Sequence, residues 1–477
     1  MFDFLRNQKS SLLLLASCFL VFAGTANSQA ACEAVPKQIL LDLVNPADLA
    51  AVATQYGLVP TPIDQIGTPP TYRMRIRDDN TQNPCQIAQA MQSDARISQK
   101  ETNRKLKVVE KEGLPWTLGR SWAIGRSWAI GGSAKGYAKQ YFPGIIKLDQ
   151  AHTITRGFIN NPPPGQQPRP VVVAVLDTGI DLTHPAFAGK LVPGYDFVDN
   201  DNDPSEVGAL RVNPTYGHGT HVAGIIALMA PDAKIMPIRV LDENGESDLW
   251  KIKDALLFAA THGADVVNFS LGYPRDLAPQ SNNFLDKLMR SASGVAGGPV
   301  IPGLNDEVII FVAGAGNGGQ IGNGAERIFP AAERHDGTEL DIDNILSVGS
   351  SSRLDFLSTF SSMANVQNRR TDRWVRTVAP GEDIVSAIPG GRYGVWSGTS
   401  MSAPIVSGIA ALVLSVRPIN GAAHTASDVV DEIEETGWEW DCSLPSRGIK
   451  METGRVDAFC AVTNNVACYQ PRTICNE

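Results

Sequence analysis

Five short segments, residues 171–176, 234–240, 265–269, 308–313 and 345–348, are almost wholly apolar and do not alternate. A strand with one solvated face alternates apolar and polar side chains, so such runs describe strands covered on both faces. Helical stretches lie between them, clearest at 220–229, 248–262 and 399–416. Strands and helices taking turns define an α/β fold of three layers, with a mainly parallel central sheet and helices on both faces. This region spans about residues 140–464.

The chain ahead of it reads differently. Residues 38–43 form a strand pattern, and Asn45-Pro46 then opens a helix reaching about residue 56, with proline in the first turn where its missing N–H costs nothing. Residues 71–77 alternate as a half-buried strand does, a second helix runs from Cys85 to about residue 95, and a polar strand ends near Val108. Residues 31–113 are therefore expected to form a small α+β unit. Between 114 and 139 the composition shifts to glycine and tryptophan, and Gly-Arg-Ser-Trp-Ala-Ile occurs in tandem at 119–124 and 125–130. Two copies are too few for a repeat architecture, so this is a linker with a small duplication.

At the front, Arg6 and Lys9 precede an apolar run over 12–23, and Ser28-Gln29-Ala30 offers a small-x-small cleavage site. That is the layout of a signal peptide over residues 1–30, placing the mature chain in the periplasm or outside the cell. Leu15-Ala16-Ser17-Cys18 resembles a lipobox, which would anchor lipid on Cys18, but the apolar run continues beyond it. No second run of about 20 apolar residues follows, so no transmembrane span is expected.

Of seven cysteines, six remain once Cys18 leaves with the signal segment. Their even number in an exported chain reads as disulfides, against free thiols in a reducing compartment. Cys32–Cys85 is the economical pairing near the front, and Cys442, Cys460, Cys468 and Cys475 would pair among themselves in an order the sequence leaves open. Residues 465–477 form a cysteine-bearing tail. The net charge of −9 supplies no surplus of cations to neutralise phosphates, which argues against a nucleic-acid partner.

Three segments carry chemistry. Asp177 stands just past the carboxyl end of a buried strand, where open α/β sheets present functional groups. His218 sits in the glycine-flanked turn Gly217-His218-Gly219-Thr220-His221 that starts a helix, and Ser400 heads the small-residue helix after Ser397-Gly398-Thr399. A serine hydroxyl needs a base to take its proton as it attacks, and that base needs its second nitrogen held by a carboxylate. The chain order Asp, His, Ser differs from the Ser, Asp, His of α/β-hydrolases and the His, Asp, Ser of chymotrypsin-like enzymes, and no Gly-x-Ser-x-Gly surrounds Ser400.

The segments Asp177-Thr-Gly-Ile-Asp, Gly217-His-Gly-Thr-His-Val-Ala-Gly224 and Gly398-Thr-Ser-Met-Ser-Ala-Pro404 resemble the three signature motifs of the subtilisin-like serine peptidases, the subtilases. The resemblance covers about residues 140–464 and implies a serine endopeptidase with a subtilisin-like fold. It places the nucleophile on Ser400, the general base on His218 and the orienting carboxylate on Asp177, leaving His221 to the helix and Asp181 to the turn. Ser402 stands where many subtilases have alanine. Asn317, ending the segment Val312-Ala-Gly-Ala-Gly-Asn317, is similar to the family's oxyanion donor, with the Ser400 N–H as the second. Ser270, Leu271 and Gly272 resemble the strand that pairs with extended substrate, and Gly314, Ala315 and Gly316 the opposite wall of the specificity pocket. Small, uncharged walls lean towards large apolar or aromatic side chains before the scissile bond, unless Glu326 or Glu333 reaches in.

No cofactor is implied for the chemistry. Asp199, Asp201 and Asp203 alternate along an acidic loop that reads either as a structural calcium site or as a solvated turn. The resemblance also gives residues 31–113 a meaning, a removable propeptide that inhibits its own peptidase, against a permanent accessory domain. A monomer acting on protein or peptide is expected. A catalytically silent relative would have lost one of Asp177, His218, Ser400 or Asn317, and all four are present.

Overall fold

The computed structural model describes residues 32–67, 69–108, 117–118, 129–210, 212–274, 285, 289, 309–319, 328–332, 344–363, 374–419, 424–439, 442–444, 449–451 and 454–465. The expected signal segment with Cys18, most of the duplicated linker, Glu326, Glu333, Cys468 and Cys475 lie outside them.

The first part of the described chain contains β1 (Ala34–Leu43), α1 (Leu49–Gln55), β2 (Asp64–Ile66), β3 (Thr71–Arg75), α2 (Pro84–Ala90) and β4 (Ile97–Val108). The strands pair antiparallel in the order β4-β1-β3-β2, a ferredoxin-like arrangement. Asn83 opens α2 with a reciprocal capping box to Gln86, satisfying two N–H groups at the helix start. Ile39, Leu41, Tyr72 and Met74 cover Val52 and Ile87 on one face of this sheet. Leu40 and Leu106 turn the other way and join a core of the larger part. Cys32 and Cys85 form the expected disulfide, and Cys460 is disulfide-bonded as well.

The larger part runs through β5 (Val172–Asp177), β6 (Tyr195–Asp196), α3 (His218–Met229), β7 (Lys234–Arg239), β8 (Glu246–Asp248), α4 (Leu249–Thr261), β9 (Val266–Phe269) and β10 (Leu271–Pro274). It continues through β11 (Ile310–Gly314), β12 (Ile328–Phe329), β13 (Ile345–Ser351), β14 (Thr377–Pro380), β15 (Ile384–Ile388), β16 (Arg392–Trp396), α5 (Thr399–Val416), α6 (Ala426–Glu435), β17 (Trp438–Glu439) and β18 (Gly454–Arg455). The main sheet has the order β6-β7-β5-β9-β11-β13-β14-β18-β17. All its neighbours are parallel except β18 and β17. Val173 and Val175 face the layer of α3 and α5, whereas Ala174 and Leu176 face the layer of α4. Both faces of β5 are thus buried, which is why its sequence does not alternate.

The chain places β7 on one side of β5 and then crosses to β9 on the other. Sequence order reverses there, which opens a crevice at the carboxyl end of β5, beside Asp177. The N-terminal sheet continues into the larger part. The end of β4 pairs with β8 and with β10, and β10 pairs with β12.

In the acidic loop the three carboxylates have partners within the protein. Asp199 is turned to the buried Arg239 at 2.5 Å, sharing it with Asp196 at 2.6 Å. Asp201 accepts the Asp203 N–H at 2.8 Å, and Asp203 accepts the N–H and hydroxyl of Ser205. The carboxylates close their own turns and neutralise a guanidinium. Among the described residues no group of three or more His, Cys, Asp or Glu side chains is arranged to hold a metal.

Candidate active site

Asp177 is the last residue of β5, and its Oδ1 accepts from His218 Nδ1 at 2.7 Å and from the Thr178 N–H at 2.8 Å. His218 begins α3, behind Gly217 at φ +89°, a backbone conformation that glycine adopts without strain. Gly219 is required for another reason. A Cβ there would lie 2.2 Å from the Gly179 carbonyl oxygen, so only glycine lets α3 approach the turn after β5 this closely.

His221 faces away from this bond. Its ring stacks on Trp396 at 4.3 Å between centroids and 5° between planes. Burial and the neighbouring His218 charge hold its pKa well below the ordinary imidazole range. Asp181 accepts the Thr183 N–H and hydroxyl and the Gly390 N–H, as a turn residue does.

Ser400 is the second residue of α5. Pro404, four residues on, has no N–H with which to bond the Ser400 carbonyl. The Ser270 hydroxyl bonds that carbonyl instead, at 3.2 Å, while Ser400 Oγ donates to the Ser270 carbonyl at 3.3 Å. Asn268 fixes the Ser270 hydroxyl and is itself fixed by Ser407. Ser270, expected to line the substrate cleft, therefore also braces the serine. Ser402 donates to the Ala379 carbonyl, so the hydroxyl that replaces a methyl is satisfied. Asn317 Oδ1 accepts the Thr399 N–H at 2.9 Å, seating its amide beside the start of α5. Asp177, His218 and Ser400 are essentially inaccessible, none more than 1% exposed.

Leu271 and Gly272 lie on β10, where they pair with Val108 and Lys107 of β4. On its other edge β4 pairs Lys107, Leu106 and Lys105 with Glu246, Ser247 and Asp248, and the Val108 N–H donates to the Gly245 carbonyl. The strand edge expected to take substrate holds this chain's own Lys107 and Val108. Across from it, the Ala315 N–H is bonded to Val348 and the Gly316 N–H to Thr399 Oγ1. Ile328 leans on this wall, its Cγ1 2.7 Å from where a Cβ on Gly316 would stand.

Several contributors escaped the sequence reading. Trp396 stacks on His221, Thr178 Oγ1 accepts the Gly219 N–H at 3.0 Å, and Glu206 places a buried carboxyl against Thr220. Thr178 and Thr220 lie inside the quoted motifs, so their nearness was legible. Glu206 and Trp396 carry no spacing signal, because only the fold brings them here.

The subtilase family profile matches residues 169–437. The thermophilic serine proteinase of Bacillus sp. strain AK1 is 35% identical over 339 residues, covering 69% of this chain and 68% of the relative. Thermitase of Thermoactinomyces vulgaris is 31% identical over 336 residues, covering 68% and 96%. The crystal structure of fervidolysin from Fervidobacterium pennivorans, a keratinolytic enzyme related to subtilisin, shares the fold with a TM-score of 0.62 at 21% identity, over 91% of this chain and 62% of that one. Fold and matches together define a serine-type endopeptidase. The chain belongs to the subtilase family.

Proposed function

We propose that the chain is an exported endopeptidase made as a zymogen, with Ser400 as nucleophile, His218 as general base and Asp177 as its orienting carboxylate. The observation that carries this reading is the buried 2.7 Å bond from His218 Nδ1 to Asp177, reached at the switch point of a parallel sheet. The Ser400 hydroxyl leaves the Ser270 carbonyl, gives its proton to His218 and attacks the peptide carbonyl carbon. Charge collects on the carbonyl oxygen, where the Asn317 NH2 and the Ser400 N–H donate, each such donor worth about 2.7–4 kcal/mol. His218 then passes its proton to the leaving amine as the C–N bond breaks. Water hydrolyses the acyl-enzyme by the same steps in reverse.

Residues 31–113 act as the inhibitory propeptide, joined through the linker of residues 114–139. The seating of residues 105–108 between β8 and β10 supports this, since extended substrate would add to the same edges. Ile328 shifts the specificity reading. Its side chain stands against Gly316, taking space beside residues 314–316, which supports a preference for small or medium side chains over aromatic ones. The signal-peptide pattern of residues 1–30 supports export; among the described residues the one helix long and apolar enough to cross a membrane is the buried core helix α5.

A fluorophosphonate probe tests the assignment. Self-processed wild type should label and Ser400→Ala should not, while mass spectrometry should find a mature N-terminus beyond residue 108. Well-folded, processed wild type that takes up no label would overturn the catalytic reading. A chain that keeps residue 31 as its start while fully active would overturn the zymogen.

A further inference from the structure

The hydrolytic steps leave unused a carboxyl packed beside the catalytic pair. Residues 204–206 run beside the turn that follows Asp177: the Ile180 N–H donates to the Pro204 carbonyl at 3.0 Å, and the Glu206 N–H to the Ile180 carbonyl at 3.1 Å. The Glu206 side chain then reaches the first turn of α3. Its Oε2 accepts from Thr220 Oγ1 at 2.9 Å and from the Thr220 N–H at 3.4 Å. Thr220 Oγ1 in turn accepts the Asp181 N–H at 2.9 Å. Thr178, whose hydroxyl holds the Gly219 N–H, and the Gly217 N–H face the same carboxyl. One side chain thus bridges the two elements whose placement fixes the Asp177–His218 bond.

We propose that Glu206 is a positioning residue of the catalytic pair, tying the turn after Asp177 to the helix that carries His218 and setting the charge beside them. The inference rests on the triad reading above. The groups facing Glu206 are Asp177 from the end of β5 and Tyr216 from the turn before α3, with Arg392 and Asp181 beyond Tyr216. Burial pushes the Glu206 carboxyl up to about 7; hydrogen bonds from Thr178, Gly217 and Thr220 oppose that rise, and the Asp177 charge adds to it. Its charge therefore changes across the pH range in which a histidine base loses its proton. Once ionised, Glu206 stabilises the His218 imidazolium through space, as any nearby carboxylate does.

Glu206→Gln removes that charge while keeping the size of the protonated acid and an acceptor for Thr220. In the self-processed full-length enzyme, the acid limb of kcat/KM against pH, read with a chromogenic peptide, should move to lower pH by roughly 0.3–1 unit. Melting temperature should change little. A limb that stays within 0.1 unit of wild type, or moves upward, would refute the role. Failure of Glu206→Gln to fold would refute it too, because the amide replaces a carboxyl argued to be neutral through much of that range. Fluorophosphonate labelling of wild type separates the two readings. No labelling removes both, whereas normal labelling with an unmoved limb removes only Glu206.

Discussion

A Cβ built on Gly219 would lie 2.2 Å from the Gly179 carbonyl oxygen, 2.9 Å from Asp177 Cβ and 3.2 Å from Asp177 Oδ1. Carbon and carbonyl oxygen settle no closer than roughly 3.3 Å, so Gly219→Ala must push the start of α3 and the turn after β5 apart by about 1 Å. Those elements carry His218 and Asp177, joined at 2.7 Å. A separation of that size takes the pair past hydrogen-bond reach, about 3.2 Å, and misplacement by 1 Å costs on the order of 10²-fold in rate. The fold should survive. Overpacking costs about 1–3 kcal/mol, and alanine recovers up to about 1 kcal/mol of helix propensity.

The assay is kcat/KM on a peptide substrate together with the rate of fluorophosphonate labelling, with melting temperature measured alongside. Gly224→Ala is the control, since its Cβ would meet Ser386 Oγ at 2.3 Å deeper in the same helix. That variant should lose comparable stability yet keep most of its activity. The reasoning is refuted if Gly219→Ala retains more than about a third of wild-type kcat/KM, or if Gly224→Ala loses as much as Gly219→Ala.

Ile328→Gly should deepen the specificity pocket, raising kcat/KM for a phenylalanine substrate relative to an alanine one by about 10-fold; an unchanged ratio in paired peptides would restore the large-pocket reading. Asp254 on α4 faces Asp64 and Arg73 of the N-terminal unit; burial pushes its carboxyl up to about 7, with the Asp64 charge adding to the rise and Lys253 and Arg73 opposing it. A carboxyl raised in the assembled form favours assembly while protonated. The N-terminal unit should therefore be held best at low pH and lose hold as pH climbs towards 7. Asp254→Asn should remove part of that loss, so that after processing the cleaved unit stays on the peptidase roughly 3- to 10-fold longer at pH 8, read by co-elution at pH 5 and pH 8. Arg239→Ala leaves the carboxylate of buried Asp196 without its guanidinium and should cost about 3–5 kcal/mol in chemical unfolding; a loss below 1 kcal/mol would show that water or relaxation reaches Asp196.

The two-sided strands were legible because their burial is written in composition. Every residue of β5 needs an apolar environment or a strand-end role, and the spacing left room for α3, α4 and α5 between strands. Elements stabilised mainly by neighbours were not. The strand β14 is four residues long, β16 begins Arg-Tyr-Gly, and β6 has two residues, so none carries a period of its own. The helix α6 shows a different failure. Its apolar stripe of Val429, Val430 and Ile433 was present in the sequence but lay within a strongly acidic segment. The acidic loop stayed ambiguous for an electrostatic reason, since alternating carboxylates look alike whether they await a cation or already face Arg239.

Sequence by itself determined the α/β class, the chemistry of the Asp177, His218 and Ser400 motifs, and the small α+β unit ahead of them, because these rest on local periodicity and residue type. Tertiary structure decided what surrounds that chemistry. Bringing α3 against the turn after β5 demanded glycine at 219 and introduced Glu206 as a second buried carboxyl. Seating β4 between β8 and β10 filled the strand edges with residues 105–108. Packing placed Ile328 against Gly316. Each depends on distances between residues far apart in the chain, and such distances are fixed by packing, not by any period or motif a single segment can carry.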